Sequence, residues 1–276
     1  MKNKKGIIYA LLIFLCAAAN LPVLSMIGTA LKPRSETLST VSLFTLHPTL
    51  DNFIHVLTRT SFAQSLVNTI FVALIVTALC VVFSTMAGFG LSRCRGVLFD
   101  GYTMFLIILQ MLPAMLIMIP LYVTLSRFHL VDTHFSLILI YTAINLPFGI
   151  WTLKGFFDDI PTELDEAAMI DGCSRFQAYW RIILPFSLPG VASVGVFTLM
   201  NVWNEYTIAS IFIQDKNLRT LSVGIRQFMM QNTTEQVKIS AMHLTNLHLT
   251  AIVWLLPPFH HGYRCHRLTL LSTKNA

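Results

Sequence analysis

Leu66–Leu91 reads LVNTIFVALIVTALCVVFSTMAGFGL and contains no Asp, Glu, Lys or Arg. A helix needs about 20 predominantly apolar residues to cross the hydrocarbon core of a bilayer, and this stretch meets that length. Four more have the same character: Ile7–Leu31, Tyr102–Leu125, Phe135–Leu153 and Phe186–Ile213. Composition agrees with them. Of 276 residues, 55% are hydrophobic and 12% are charged, with a mean hydropathy of +0.67. Soluble domains carry about 25% charged residues, so lipid must cover much of this surface. The sequence predicts an all-α, polytopic transmembrane helix bundle with five clear spans, and it excludes a soluble enzyme.

Charge sets the orientation. Lys2, Lys4 and Lys5 precede the first span, and Arg93 and Arg95 fill the short loop after the second. Short loops rich in Lys and Arg stay in the cytoplasm, so the N-terminus is predicted to be cytoplasmic. The net charge of +6 is spread over short loops with no basic block. It reads as topology signals and lipid headgroup contacts, with no nucleic-acid surface. Ala17-Ala18-Ala19 resembles a signal cleavage site, but the apolar run continues through Pro22 to Leu31, too long for a signal sequence. An uncleaved helix is expected. Pro22, Pro113, Pro120, Pro147 and Pro189 sit in or beside apolar runs, where freed backbone groups need protein or water partners. Ser84 and Gly88 offer a small-xxx-small helix contact. Cys16, Cys80, Cys94, Cys173 and Cys265 form no C-x-x-C pair, so neither a disulfide framework nor a zinc knuckle is expected.

Between the fourth and fifth spans, Lys154–Pro185 changes composition. It holds Asp158, Asp159, Glu163, Asp165, Glu166 and Asp171, nearly half of the chain's 13 acids. A connection this long needs a reason. Pro161-Thr162-Glu163-Leu164 opens a helix, with acids at the positive end of its dipole. Gly172 ends it, and Ser174 can cap a second helix through Phe176, Tyr179, Trp180 and Ile183. The result is a helix-turn-helix of small residues followed by aromatics, suited to docking.

Glu166-Ala167-Ala168, three residues, Gly172, nine residues and Ile182-x-Leu184-Pro185 resemble the EAA motif of prokaryotic ABC importer permeases. Pro161–Asp165, Ile170-Asp171-Gly172 and Trp203-Asn204-Glu205-Tyr206 are similar to the sugar-uptake subfamily that includes the maltose permeases. The resemblance covers roughly Phe62 to Ile213. It implies a bacterial inner membrane and ABC ATPase subunits as partners, with a second, non-identical permease and an extracytoplasmic solute-binding protein. ATP and Mg would sit on the ATPase, and this chain would bind no cofactor. Glu166 would make a polar contact with the ATPase, Ala167 and Ala168 would pack in its cleft, and Gly172 would make the turn. Asp171, Ile182, Leu184 and Pro185 complete the implied coupling set. The implied function is a permease subunit of an ATP-driven importer for a sugar or sugar-like solute, coupling ATPase closure to alternating access.

Buried polar residues in spans are candidates for solute contact, because each acid costs about 2.5–3.5 kcal/mol at a helix centre. Thr198, Asn201, Asn204 and Glu205 share one face of the fifth span at helical spacing, flanked by Trp203 and Tyr206. Asn145, beside Pro147, and Gln110, near Pro113, are weaker candidates. The same residues also suit interhelical hydrogen bonding or contact with a partner permease. No G-x-x-x-x-G-K-[ST], H-E-x-x-H or G-x-S-x-G is present, so the chain is not expected to be an enzyme. The alternative function, a stand-alone carrier or channel, calls for buried charge or inverted repeats. The spans offer only Glu205 and no obvious repeat.

The parts are residues 1–60, an N-terminal helix with its external loop; 61–238, a permease core with its coupling loop at 154–185; and an atypical tail, 239–276. A sixth span is expected near residues 240–265. There His243, Asn246 and His248 interrupt the run and Pro257-Pro258 ends it, followed by Phe259-His260-His261-Gly262-Tyr263-Arg264-Cys265-His266-Arg267. Too few apolar residues remain to span. The histidine spacing fits no standard metal site. A reading-frame shift after about Lys238 is the expectation.

Overall fold

A computed structural model describes residues 20–33 and 47–231, together with residues 239–244 and positions 9, 11, 36, 45 and 246. All regular structure among the described residues is helical. Residues 20–30 form one helix and 239–244 another. Between them run α1 (Asp51–Arg59), α2 (Phe62–Arg93), α3 (Val97–Met111), α4 (Ala114–Arg127) and α5 (His134–Asp158). They are followed by α6 (Glu163–Ile170), α7 (Arg175–Phe186), α8 (Leu188–Asn204), α9 (Thr207–Phe212) and α10 (Leu221–Gln231). The described residues fall into two compact units, one within Met1–Gln64 and Val223–Leu249 and the other within Ser65–Ser222.

In the first unit the buried Asn52 amide donates to the carbonyls of Ala30 at 3.0 Å and Lys32 at 2.9 Å. It thereby satisfies carbonyls at the end of the helix over residues 20–30.

In the second unit α2 and α5 are each long and apolar enough to cross a membrane. Two further pairs reach that length only when joined, α3 with α4 and α7 with α8, and they are bent by 92° and 75°. Two to four spans are therefore present among the described residues. The stretch Tyr102–Leu125, predicted as one span, is two helices. Leu112 and Pro113 are extended, at φ −74°, ψ 126° and φ −61°, ψ 120°. Proline lacks the N–H that would continue the ladder and drives the residue before it out of helical geometry. The predicted span Phe186–Ile213 breaks as well. It bends at Ser187 and opens again at Glu205, which is extended at φ −69°, ψ 126°. Positions 7, 8, 10 and 12–19 of the predicted first span lie outside the described residues. So do nearly all of the sixth and the histidine-rich tail.

Small residues let α2, α5 and α8 approach closely. A methyl group on Gly149 of α5 would collide with the Ser84 side chain of α2 and sit 3.2 Å from Val194 of α8. One on Gly88 would lie 3.0 Å from the Lys154 amide and 3.3 Å from the Ile150 carbonyl. The Ser84/Gly88 stripe therefore faces α5. Helices in lipid gain no hydrophobic force from each other, so such contact is what binds them. A cluster of Leu153, Phe157, Tyr179, Ile183 and Val194, with Phe89 packed against it, seats α7 on α5, α8 and α2.

At the opposite ends of α2 and α5, side chains hold a non-helical segment. Asp132 accepts from the amides of Gln214 and Asp215, both at 2.9 Å. Asn68 donates to the carbonyls of Asn217 at 2.7 Å and Arg219 at 3.0 Å. Thr69 accepts from Leu221 N–H at 2.7 Å, and the His134 ring lies 2.9 Å from the Leu218 carbonyl.

Candidate functional site

The loop α6–α7 is built as its sequence suggests. Glu163, Asp165 and Glu166 occupy the first turn of α6. Its C-terminus closes in a Schellman motif, with Gly172 N–H donating to Met169 at 3.1 Å and Cys173 N–H to Ala168 at 3.0 Å. Gly172 has φ +86°, a left-handed geometry that other residues resist. Ser174 then forms a capping box with Gln177, each side chain bonding the other's backbone N–H. A feature absent from the sequence reading is a π-helical turn, Tyr179–Ile183, inside α7. Burial pushes the Tyr179 phenol above its ordinary value.

Arg93, read in the sequence only as a topology signal, fastens this loop. Its Nε donates to Asp165 of α6 in an ion pair. Its Nη1 donates to the Phe157 carbonyl at 3.0 Å, and Nη2 to Ile160 at 3.2 Å. The guanidinium lies 5.6 Å from the Phe89 ring centre. One side chain of α2 thus joins the end of α5 to the start of α6.

The coupling residues implied by resemblance divide by exposure. Glu166, Ala167, Asp171, Gly172 and Pro185 are exposed, while Ile182 and Leu184 are half-buried against the core cluster. Ala168 is buried within this chain, where α6 packs on α7. Beside Glu166 and Ala167 stand exposed apolar side chains, Ile170 at 85%, Phe176 at 61% and Trp180 at 51%. An exposed apolar patch with a polar rim marks an interaction surface.

The second feature lies at the break after α8. Glu205 accepts from Ile208 N–H at 2.8 Å, from Ala209 N–H at 3.1 Å and from the Tyr141 hydroxyl at 2.7 Å. On α5, Asn145 donates to the Tyr141 carbonyl at 2.8 Å and accepts from the Asn201 amide at 3.1 Å. Tyr141, Asn145, Asn201 and Glu205 line a cavity of about 280 Å³ that also touches Pro113. A neighbouring cavity of about 580 Å³ shares Asn145 and Asn201 and adds Gln110 with the paired rings of Phe148 and Phe197, whose centres are 4.1 Å apart.

Of the residues predicted for the path, Asn145, Asn201 and Glu205 come together. Thr198 is fully buried, and its hydroxyl makes no hydrogen bond. It lines none of these cavities. Asn204 donates to the Met200 carbonyl at 2.9 Å and lines a third cavity, of about 530 Å³, together with Asn201, Phe148 and Phe197. Tyr206 is 40% exposed. Asn201 and Asn204 of the expected polar face thus reach cavities, whereas Thr198 is packed inside the bundle. Tyr141 was missed. Its signal was its place one helical turn before Asn145. Among the described residues no group of three or more His, Cys, Asp or Glu could hold a metal ion.

Membrane-length apolar helices, a capped helix pair at one end and a polar cavity at a helix break define a membrane permease. Residues 81–256 match the binding-protein-dependent transport system inner membrane component family, and the chain belongs to it. The polygalacturonan/rhamnogalacturonan transport system permease of Bacillus subtilis is 32% identical over 247 residues, covering 88% of this chain and 84% of that one. The sulfoquinovosyl glycerol transport system permease of Agrobacterium fabrum is 33% identical over 209 residues, covering 75% and 73%. A solved bacterial ABC transporter involved in import of the acidic polysaccharide alginate shares the fold, with a TM-score of 0.80 at 19% identity, over 92% of this chain and 95% of that one.

Proposed function

We propose that this chain is one membrane-spanning permease subunit of an ATP-driven importer for a sugar or sugar-like solute. Its α6–α7 loop converts closure of a partner ATPase into alternating access. The observation that carries the reading is the exposed face of Glu166, Ala167, Ile170, Phe176 and Trp180 on a helix pair closed by Gly172 and Ser174. An exposed apolar patch of this kind marks an interaction surface. Because Arg93 joins α6 to α2 and α5, a displacement of the docked loop is passed to the two long spans. The N-terminus and the loop face the cytoplasm, and ATP and Mg are held by the ATPase. A solute-binding protein delivers the solute from the other side, and a second, non-identical permease completes the path opposite Asn145 and Asn201. Membership of a binding-protein-dependent family disfavours a stand-alone carrier or channel. Relatives named for glycans and a sugar glycerol support the solute class.

The test is affinity purification of the tagged chain from membranes that coexpress its ATPase. The intact chain should retain the ATPase. Gly172→Asp places a side chain at positive φ, which costs about 1–2 kcal/mol, and should lose it while remaining in the membrane. Retention of the ATPase by Gly172→Asp together with Glu166→Lys would overturn the assignment of the loop.

A further inference from the structure

We infer that Glu205 is a positioning residue and not a solute ligand. With Tyr141 it forms a staple that holds the break between α8 and α9 open and fixes the Asn145–Asn201 amide pair at the cavity wall. The inference rests on the proposal that this cavity belongs to the solute path, and it divides the residues of that path by role.

A carboxylate inside an apolar bundle is costly unless its lone pairs are occupied. Three donors reach Glu205: two backbone N–H groups of α9 and the Tyr141 hydroxyl. The amides of Ile208 and Ala209 lie in the first turn of α9, where a helix leaves its N–H groups unpaired. No proline or glycine lies at Asn204-Glu205-Tyr206 to open the helix there. The carboxylate does so by offering those amides a substitute for the helical bonds they would otherwise make. Its third bond reaches across to α5. Asn145 lies one turn further along that helix and donates to the carbonyl of Tyr141 itself. Asn201, one turn before Glu205 on α8, donates to Asn145. The two helices are thus bridged twice, once by a charged staple and once by an amide pair. The amide pair sits where both cavities meet, and amides suit solute hydroxyls as donor and acceptor alike.

The experiment is hydrogen exchange, followed by mass spectrometry, over residues 205–213 of the assembled importer in nanodiscs, without solute. Glu205→Ala removes every acceptor and should speed exchange in this segment by roughly tenfold or more. Glu205→Gln keeps one acceptor oxygen, enough for one of the two amides, and should bring exchange part of the way back. Tyr141→Phe cuts only the bridge to α5 and should give an intermediate rise; it also serves if Glu205→Ala fails to assemble. A second readout is the labelling of a single thiol, introduced by Ile144→Cys, which lines both cavities, into a chain whose five native cysteines are replaced. The probe is a membrane-impermeant methanethiosulfonate, applied with and without ATP and vanadate. The ATP-dependent change in labelling should survive Glu205→Gln and vanish in Tyr141→Phe. Unchanged exchange in Tyr141→Phe, or Glu205→Gln exchanging as fast as Glu205→Ala, would overturn the staple. If the exchange pattern holds but the Ile144→Cys chain is never labelled, the staple stands and the assignment of the cavity to the path fails.

Discussion

Arg93 shows how far one side chain can serve two scales. Its charge marks a loop for the cytoplasm, and its planar fork meets one carboxylate and two carbonyls on separate elements. A lysine would keep the charge and lose the fork. Arg93→Lys is therefore predicted to insert normally yet loosen the loop, by about 1.5–3 kcal/mol for the charged hydrogen bonds lost. Limited proteolysis of membrane vesicles should show faster cleavage between Asp158 and Arg175 than in the parent chain. Equal cleavage would mean that the ion pair does not hold the loop. Nothing in the sequence joined Arg93 to Asp165, because the two are distant along the chain and meet only once α2 and α5 are packed. Gly172 and Ser174 were legible for the opposite reason: their roles are local, within one turn of the backbone.

Among elements, the long spans were readable and their breaks were not. An apolar run exposed to lipid has the same composition whether straight or bent, so Tyr102–Leu125 read as one helix despite Pro113. Pro147 lies within α5, a single helix, so proline alone did not decide which run would bend. The opening at Glu205 depends on acceptors and donors from another helix, beyond the reach of any local rule. Helix contact was partly legible, since Ser84 and Gly88 do face α5. The close approach at Gly149 supplies a prediction: Gly149→Leu should destabilise the bundle by about 1–3 kcal/mol through overpacking. Gly155→Leu, on the same helix at a site where an added Cβ meets nothing within 4 Å, should be near neutral. Thermal unfolding in detergent compares the two, and equal midpoints would refute the close contact.

For the whole molecule, composition was enough to require lipid, and motif spacing was enough to place the chain in its family. The solute was not legible, because hydroxyl recognition by amides and aromatic faces serves many glycans alike. The C-terminal end makes a separate prediction. The family match stops at residue 256, immediately before Pro257-Pro258 and the histidine-rich tail. Sequencing the coding DNA from about codon 230 and translating all three frames should reveal an alternative ending. That ending should hold about 20 apolar residues and then a short basic stretch. Absence of such a frame would make the tail genuine and return its histidines to consideration as metal ligands.

The segment held by Asp132, Asn68, Thr69 and His134 has a consequence for kinetics. Where irregular backbone is ordered only on binding, that ordering weakens association. Here the ordering is already complete, since the side chains of α2, α5 and the turn before it fix the 214–221 backbone in advance. The solute-binding protein proposed above, docking at this end, would meet a preformed surface. Its residence time should then depend on the fit of that surface, with little entropy left to lose in shaping it.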